Sequence, residues 1–301
     1  MEITVLYGGD SAEREVSLCS GAQVSAALKA AGHGVRLLDW RGEALSAPLT
    51  DALRAADAVF LALHGGAGED GTLQRMLEAA GVFHYTGSEP LGAALAMDKK
   101  RAKQRVAACG VPIPRGCVLP PKKAEPPLPL PLVIKPRFGG SSVGLSFVHT
   151  PAQWEAFHPL GEMATDALCE EYLTGREFTV GILEDRALPV VEIRPIGGPY
   201  DYAHKYTAGA SEELCPAPLS PQRAAHLQSL ALAAFRALGL RDYGRVDFRE
   251  NGRGDPRFLE ANTLPGMTPT SLFPLAAQAA GMTFSFLCEQ MVAMAAKRKN
   301  F

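Results

Sequence analysis

No stretch of this sequence approaches the roughly 18 to 20 uninterrupted apolar residues that a membrane-spanning helix needs. The opening MEITVLYGGDSAERE reads as a short strand rather than a signal peptide, so the expectation is a cytoplasmic protein with no membrane partner. Cysteine is sparse and dispersed. Cys19, Cys109, Cys117, Cys169, Cys215 and Cys288 contain no C-x-x-C pair, which speaks against a zinc site or a disulfide framework and for simple buried thiols. Basic charge is not concentrated either: the one dense run, Lys297, Arg298 and Lys299, follows the apolar face of a terminal helix and reads as its solvated end. With a formal net charge of -2, no nucleic-acid partner is indicated. Also missing are the two common nucleotide loops, G-x-x-x-x-G-K-[ST] and G-x-G-x-x-G.

What is present is enough for two or three packed domains, since the chain has 301 residues and is 47% hydrophobic. EITVLYGG reads as a buried strand and SLCSGAQVSAALKAAG as a helix ending at Gly32; GVRLLDW and DAVFLALHGG add two more strands. Strand alternating with helix predicts a parallel-sheet α/β domain over residues 1–88, with a crevice at the strand C-termini. A helical stretch over 89–110, the proline-rich surface connection PPKKAEPPLPLP, and strands LVIKP, GLSFVHT and ALCEEY predict a central α+β domain over 89–173. From 174 to 301 the expectation is strands REFTVGILE and LPVVEIRP, a long helix over PQRAAHLQSLALAAFRALG, a hairpin from GRVDFRE to RFLEAN and one closing helix after PTSLFP.

The hairpin carries the most informative chemistry. Asn251 to Asp255 are turn-formers, so the arms are expected to pair about a centre between Arg253 and Gly254. If no bulge intervenes, Asp247 faces Glu260, Arg245 faces Asn262, and all four share one side of the sheet. Two carboxylates and an amide oxygen suit Mg²⁺ shared with ATP phosphates; a solvated outer face with one salt bridge is the competing reading. The continuation NTLPGMTPTS runs into a helix whose free N–H groups can bind a carboxylate. KPRFGGSSVGLS can present backbone N–H groups to phosphate as a flap beside Lys135, or can be an ordinary turn. Glu13, near a helix start, is either a capping acid or an anchor for a substrate ammonium. His64 in HGGAGEDGT and Lys99 in AMDKK have structural readings as well: a core histidine and a solvated lysine.

Taken in order, YGGDSAEREVSL, HGGAGEDGT, MDKK, VIKPRFGGSSVG, EEYLTGREFTVG, GRVDFRE and LEANTLPGMTPTSLFP resemble the D-alanine:D-alanine ligases of the ATP-grasp superfamily, from about residue 3 to residue 290. The resemblance implies a three-domain ATP-grasp fold, with ATP and magnesium between the central and C-terminal domains. It implies that Lys99, Lys135 and Lys205 lie at the phosphates under the Ser141-Ser142 loop. Glu170, Glu171 and Leu173 would hold adenine and Glu177 the ribose. Asp247, Glu260 and Asn262 would bind two Mg²⁺ ions, with Mn²⁺ able to substitute and activation by a monovalent cation left open.

On the same resemblance, Glu13 anchors the ammonium of the first D-alanine in a set with Ser141 and Tyr206, and His64 orients that end of the site. Arg245 and the Gly266 N–H stabilise the oxyanion, while Ser271 and the Leu272 N–H take the carboxylate of the second D-alanine. Residues 200–215 would form a lid, and Tyr206 would favour an amine nucleophile over D-lactate. Arg137-Phe138 and Leu264 depart from some relatives without touching an expected ligand. The family also suggests a homodimer serving peptidoglycan precursor synthesis. Against this stand a different carboxylate-amine ligase of the superfamily, a nucleotide-dependent oxidoreductase using Asp39 as ribose acid, and a non-catalytic sensor. The missing G-x-G-x-x-G disfavours the oxidoreductase, and the presence of Asp247 and Glu260 disfavours the sensor.

Overall fold

Strands β1 (Glu2–Gly8), β2 (Gly34–Trp40) and β3 (Ala58–Ala62) form a parallel sheet in the order β2-β1-β3 in the computed structural model, which describes residues 1–119, 125–140, 143–157, 166–196 and 211–299. Every residue of β3 is buried, as a parallel strand covered on both faces requires. One cover is helix Arg14–Ala30, which approaches β1 closely at Gly21, where a Cβ would come within 2.6 Å of Tyr7 Cβ. Packed beside that helix is one from the far end of the sequence. Helix Phe284–Ala296 packs Leu287, Met291 and Val292 into the same core as Val5, Leu28 and Phe60.

The single closing helix expected after PTSLFP is two helices, Leu272–Ala279 and Phe284–Ala296, bent by 104° around Gly281, whose φ of 86° suits glycine. The basic run beyond them is not a merely solvated end. Arg298 donates to both Asp242 carboxylate oxygens at 3.1 and 2.7 Å and to Tyr85 O at 2.6 Å, and Lys299 reaches Asp57 at 2.7 Å. A charged tail becomes a clamp because Asp242 and the Tyr85 carbonyl meet there only in the folded chain.

The second sheet is small and antiparallel, β4 (Gly116–Val118), β5 (Leu132–Pro136), β6 (Ser146–Val148) and β7 (Ala167–Glu171), in the order β4-β7-β5-β6. Its core is Leu119, Leu132, Ile134, Val148, Trp154, Ala167 and Cys169. The helical stretch expected over 89–110 is two helices, Pro90–Met97 and Lys99–Ala108. Asp98 breaks it with an extended ψ of 91° and caps the second helix by accepting from Arg101 N at 3.1 Å. Strand β4 is absent from the sequence reading because three residues carry no usable periodicity.

The third sheet runs β11-β10-β8-β12-β13, built from β8 (Glu177–Leu183), β10 (Val191–Pro195), β11 (Ser211–Leu214), β12 (Tyr243–Glu250) and β13 (Pro256–Asn262), with β9 (Arg186–Ala187) on β8. Helix Pro221–Ala237 buries Leu227, Ala231, Ala234 and Phe235 among Phe178, Val246 and Phe248 on one face. Of the segment 200–215 expected as a lid, Ser211–Leu214 is this edge strand, and 200–210 lies outside the described residues.

The hairpin reaches the expected register by an unexpected route. Phe248 pairs with Phe258 and Glu250 with Pro256, so the turn is centred on Arg253 itself. A bulge at Leu259, between the Phe248/Phe258 and Asp247/Glu260 pairs, restores the expected pairs Asp247/Glu260 and Arg245/Asn262. Asn251 Oδ1 sets the tight turn by accepting from Arg253 N and Asp255 N, both at 2.9 Å. The bulge has a chemical result: Leu259 and Glu260, adjacent in sequence, both line the cleft described next.

Candidate active site in the cleft between the two antiparallel sheets

The cleft lies between the small and large sheets. It gathers Lys99, Lys135, Glu170, Glu171, Leu173, Glu177, Arg245, Asp247, Glu260 and Leu272 from seven separate stretches of sequence. Lys99 opens the helix after Asp98, and is held at both ends by the flap strand: its N–H donates to Arg137 O at 3.1 Å and its ammonium to Gly139 O. The same ammonium is 3.5 Å from Glu260. It is therefore a buried, paired lysine, 8% exposed, rather than a solvated one. Arg137 adds bonds to Asp98 at 2.7 Å and Asp166 at 2.8 Å; burial would raise the Asp98 carboxyl, but its bonds from Arg137 and the Arg101 N–H hold it below its usual range.

On the large sheet Arg245 donates through Nε and Nη2 to the two oxygens of Asp247, both at 2.9 Å, and Thr179 Oγ1 donates to Asp247 Oδ1 at 2.6 Å. Asp247 is thus fixed as an acceptor opposite Glu260. Asn262 Oδ1 is buried and has no hydrogen-bond partner among the described residues. A buried amide oxygen beside two carboxylates leaves acceptor capacity for a hard cation, so the donor set fits Mg²⁺.

On the small-sheet wall of the cleft, Glu170 lies between two ammonium groups: Lys103 at 2.9 Å and Lys135 at 2.9 Å. Burial alone would raise its carboxyl, but the two lysines hold it down to about 2. Lys103, buried behind Glu170, belongs to MDKKRAK and was not singled out in the sequence. Glu171 turns outward to Arg115 at 2.8 Å. Glu177 is lifted to about 7 by burial, with Asp247 and Glu260 adding to the shift and Arg249, 3.2 Å away, opposing it. Arg249 also lines the cleft and escaped the sequence reading.

A further cluster of sequence-predicted residues is built by loops of the first sheet and the loop after β13. His64 Nε2 is 2.9 Å from Ser20 Oγ and its Nδ1 is 3.0 Å from Leu264 O, so the ring is locked between helix Arg14–Ala30 and the loop after β13. Glu69, buried and also missed, accepts from Gly65 N at 2.7 Å and Leu264 N at 3.2 Å. These bonds position the segment carrying Gly266, where a Cβ would lie 2.9 Å from Ser271 Oγ. Ser271 precedes helix Leu272–Ala279, and its hydroxyl is 2.8 Å from Thr268 Oγ1.

Glu13 caps the first helix without a side-chain cap bond. Its Oε2 comes within 3.7 Å of the place where Gly140 would carry a Cβ, which joins this cluster to the flap. Asp39, the acid of the dinucleotide reading, is instead engaged by Arg14 at 2.9 and 2.7 Å. Ser141, Ser142, Lys205 and Tyr206 lie outside the described residues.

Comparison with known proteins agrees with this geometry. A family model described as D-ala D-ala ligase C-terminus matches residues 120–293, and one described as D-ala D-ala ligase N-terminus matches residues 39–88. A D-alanine--D-alanine ligase of Acidiphilium cryptum is 47% identical over 300 residues, covering 98% of this chain and 99% of its own. That of Methylacidiphilum infernorum is 44% identical over 291 residues, covering 96% and 94%. Among solved structures, D-alanine--D-alanine ligase from Bacillus anthracis complexed with ATP matches with a TM-score of 0.85 at 29% identity, over 100% of this chain and 99% of that one. VanG D-Ala:D-Ser ligase from Enterococcus faecalis matches with a TM-score of 0.80 at 27% identity, over 98% and 99%. The fold is accordingly the ATP-grasp fold expected from the ordered motifs, and this chain belongs to the D-alanine--D-alanine ligase family.

Proposed function

We propose that this chain ligates two D-alanine molecules into D-alanyl-D-alanine at the expense of ATP, through an acyl phosphate, releasing ADP and phosphate for peptidoglycan precursor synthesis. The observation that carries this reading is the convergence of Lys99, Lys135, Arg245, Asp247 and Glu260 in one cleft. The base and ribose of ATP lie against Glu170, Glu171, Leu173 and Glu177, and its phosphates point toward Lys99 and Lys135. Asp247, Glu260 and Asn262 would hold Mg²⁺, or Mn²⁺ in its place, which when bound neutralises phosphate charge.

The carboxylate of the first D-alanine attacks the γ-phosphorus, and Glu13 holds its ammonium while His64 keeps the neighbouring loops in register. The amine of the second D-alanine then adds to the acyl carbon. Arg245 and the Gly266 N–H stabilise the resulting oxyanion, and Ser271 with the Leu272 N–H takes the incoming carboxylate. Collapse of that tetrahedral species expels phosphate. Ser141, Ser142, Lys205 and Tyr206 complete the set on the family resemblance, closing the flap and lid over the acyl phosphate.

The division at 1–88, 89–173 and 174–301, a homodimeric state and a cytoplasmic location belong to this proposal. The three separate sheets support three units, but two segments cross the division: helix Phe284–Ala296 returns to the first sheet, and helices Pro90–Met97 and Lys99–Ala108 pack Ala96, Ala102 and Val106 into the core of the large sheet. A different carboxylate-amine ligation is the second reading, favoured by the similarity to a D-Ala:D-Ser ligase. Phosphate release with ATP, Mg²⁺ and single amino acids tests both: D-alanine alone should drive turnover and yield the dipeptide. Silence with D-alanine while another amino acid is consumed would overturn the substrate assignment.

A further inference from the structure

We propose that Lys103 is a positioning residue for the nucleotide: by sharing the Glu170 carboxylate with Lys135, it leaves the Lys135 ammonium available to phosphate. The inference rests on the reading of the cleft as the ATP site.

Lys103 follows Lys99 by four residues, so both project from one side of helix Lys99–Ala108. Lys99 reaches the cleft beside Glu260, whereas Lys103 passes beneath it. Its ammonium is 2.9 Å from Glu170 Oε1 and 3.4 Å from Phe258 O, and the residue is 6% exposed. Glu170 and Lys135 line the cleft; Lys103 does not. It therefore stands behind the lining, and its contact with the cleft runs through Glu170.

The charge arrangement gives this contact a purpose. A single buried Lys135–Glu170 pair would be locally neutral, and the carboxylate would compete with phosphate for the one ammonium. A second ammonium on Glu170 divides its attraction and leaves an excess of positive charge at the cleft floor, where the anion arrives. Burial lowers Lys103 against the opposing pull of Glu170, while Glu170 and Glu260 keep Lys135 raised against burial. The bond to Phe258 O further ties this trio to β13, two residues before Glu260.

The test compares two probes that differ only in phosphate. Binding of ADP and of adenosine to the full-length protein is measured by calorimetry for wild type, Lys103→Met and, as a second variant should the first not fold, Lys103→Gln. The expected result is ADP weakened about tenfold, the scale of losing one neighbouring unit charge, with adenosine within about twofold of wild type. Equal weakening of both probes, no weakening of either, or failure of both variants to fold makes Lys103 a structural residue and overturns the proposal. Wild-type protein that binds no ADP refutes the reading of the cleft instead, so the two failures are separable.

Discussion

The two antiparallel sheets that face each other across the cleft are stabilised by different means. The large sheet has a continuous apolar core, in which Phe178, Val246, Phe248 and Phe258 are fully buried and the rings of Phe248 and Phe258 meet edge to face with centroids 6.2 Å apart. The small sheet has a short core and relies on ion pairs around the cleft, through Lys103–Glu170–Lys135 and Asp98–Arg137–Asp166. In the large sheet the apolar groups that stabilise and the polar groups proposed to bind lie on opposite faces. In the small sheet they are largely the same groups, so substitutions there should move stability and nucleotide affinity together.

The sharpest separation on the large sheet is expected from Glu260→Gln, which should lower phosphate release more than about 100-fold, beyond the cost of losing an outer-shell partner, with an unchanged melting temperature. Wild-type rates would refute its role as a ligand. From the opposite face, Phe248→Ala should cost about 3–5 kcal/mol in urea unfolding, while the folded fraction keeps its KM for ATP. An altered KM would mean the two faces are coupled after all.

On the small sheet, Arg137→Ala leaves the buried Asp98 carboxylate with reduced pairing. It should cost about 2–3 kcal/mol and also weaken ADP binding, because Lys99 follows Asp98 directly. A loss of stability without a loss of affinity would break the comparison. Acid should act similarly. Glu170 is held at about 2 in the folded protein against an ordinary 4.5, so its contribution is present above about pH 4.5 and is lost as pH falls from there toward 2. Thermal unfolding across that window should show wild type losing stability that Glu170→Gln does not lose. As the smallest effect, Arg236→Ala at the exposed Arg236–Asp185 pair should stay within about 0.5 kcal/mol of wild type.

Much of this was legible in the chain itself. Turn-formers at Asn251 to Asp255 and the two-residue alternation of strands placed Asp247 opposite Glu260, although turn and bulge each departed from the ideal and offset one another. The run GGAGEDG held Glu69 in plain view, but a carboxylate that accepts from Leu264 N, 195 residues away, has no local signature. Lys103 looked like any helical lysine until β7 brought Glu170 to it. Arg298 looked solvated until Asp242 and the Tyr85 carbonyl were placed around it.

The sequence by itself determined the alternation of strands and helices, the hairpin pairing and the ordered motifs that mark the ligase family, because these depend on neighbours within a few residues. Only the tertiary structure decided which charges are shared. A lysine's partner is set by where distant strands deliver a carboxylate, and its charge state by how much water the assembled sheets exclude. KPRFGGSSVGLS could therefore be read as a flap from its glycines and companions, whereas the third charge beneath Lys135 became visible only when helix, small sheet and large sheet met at Glu170.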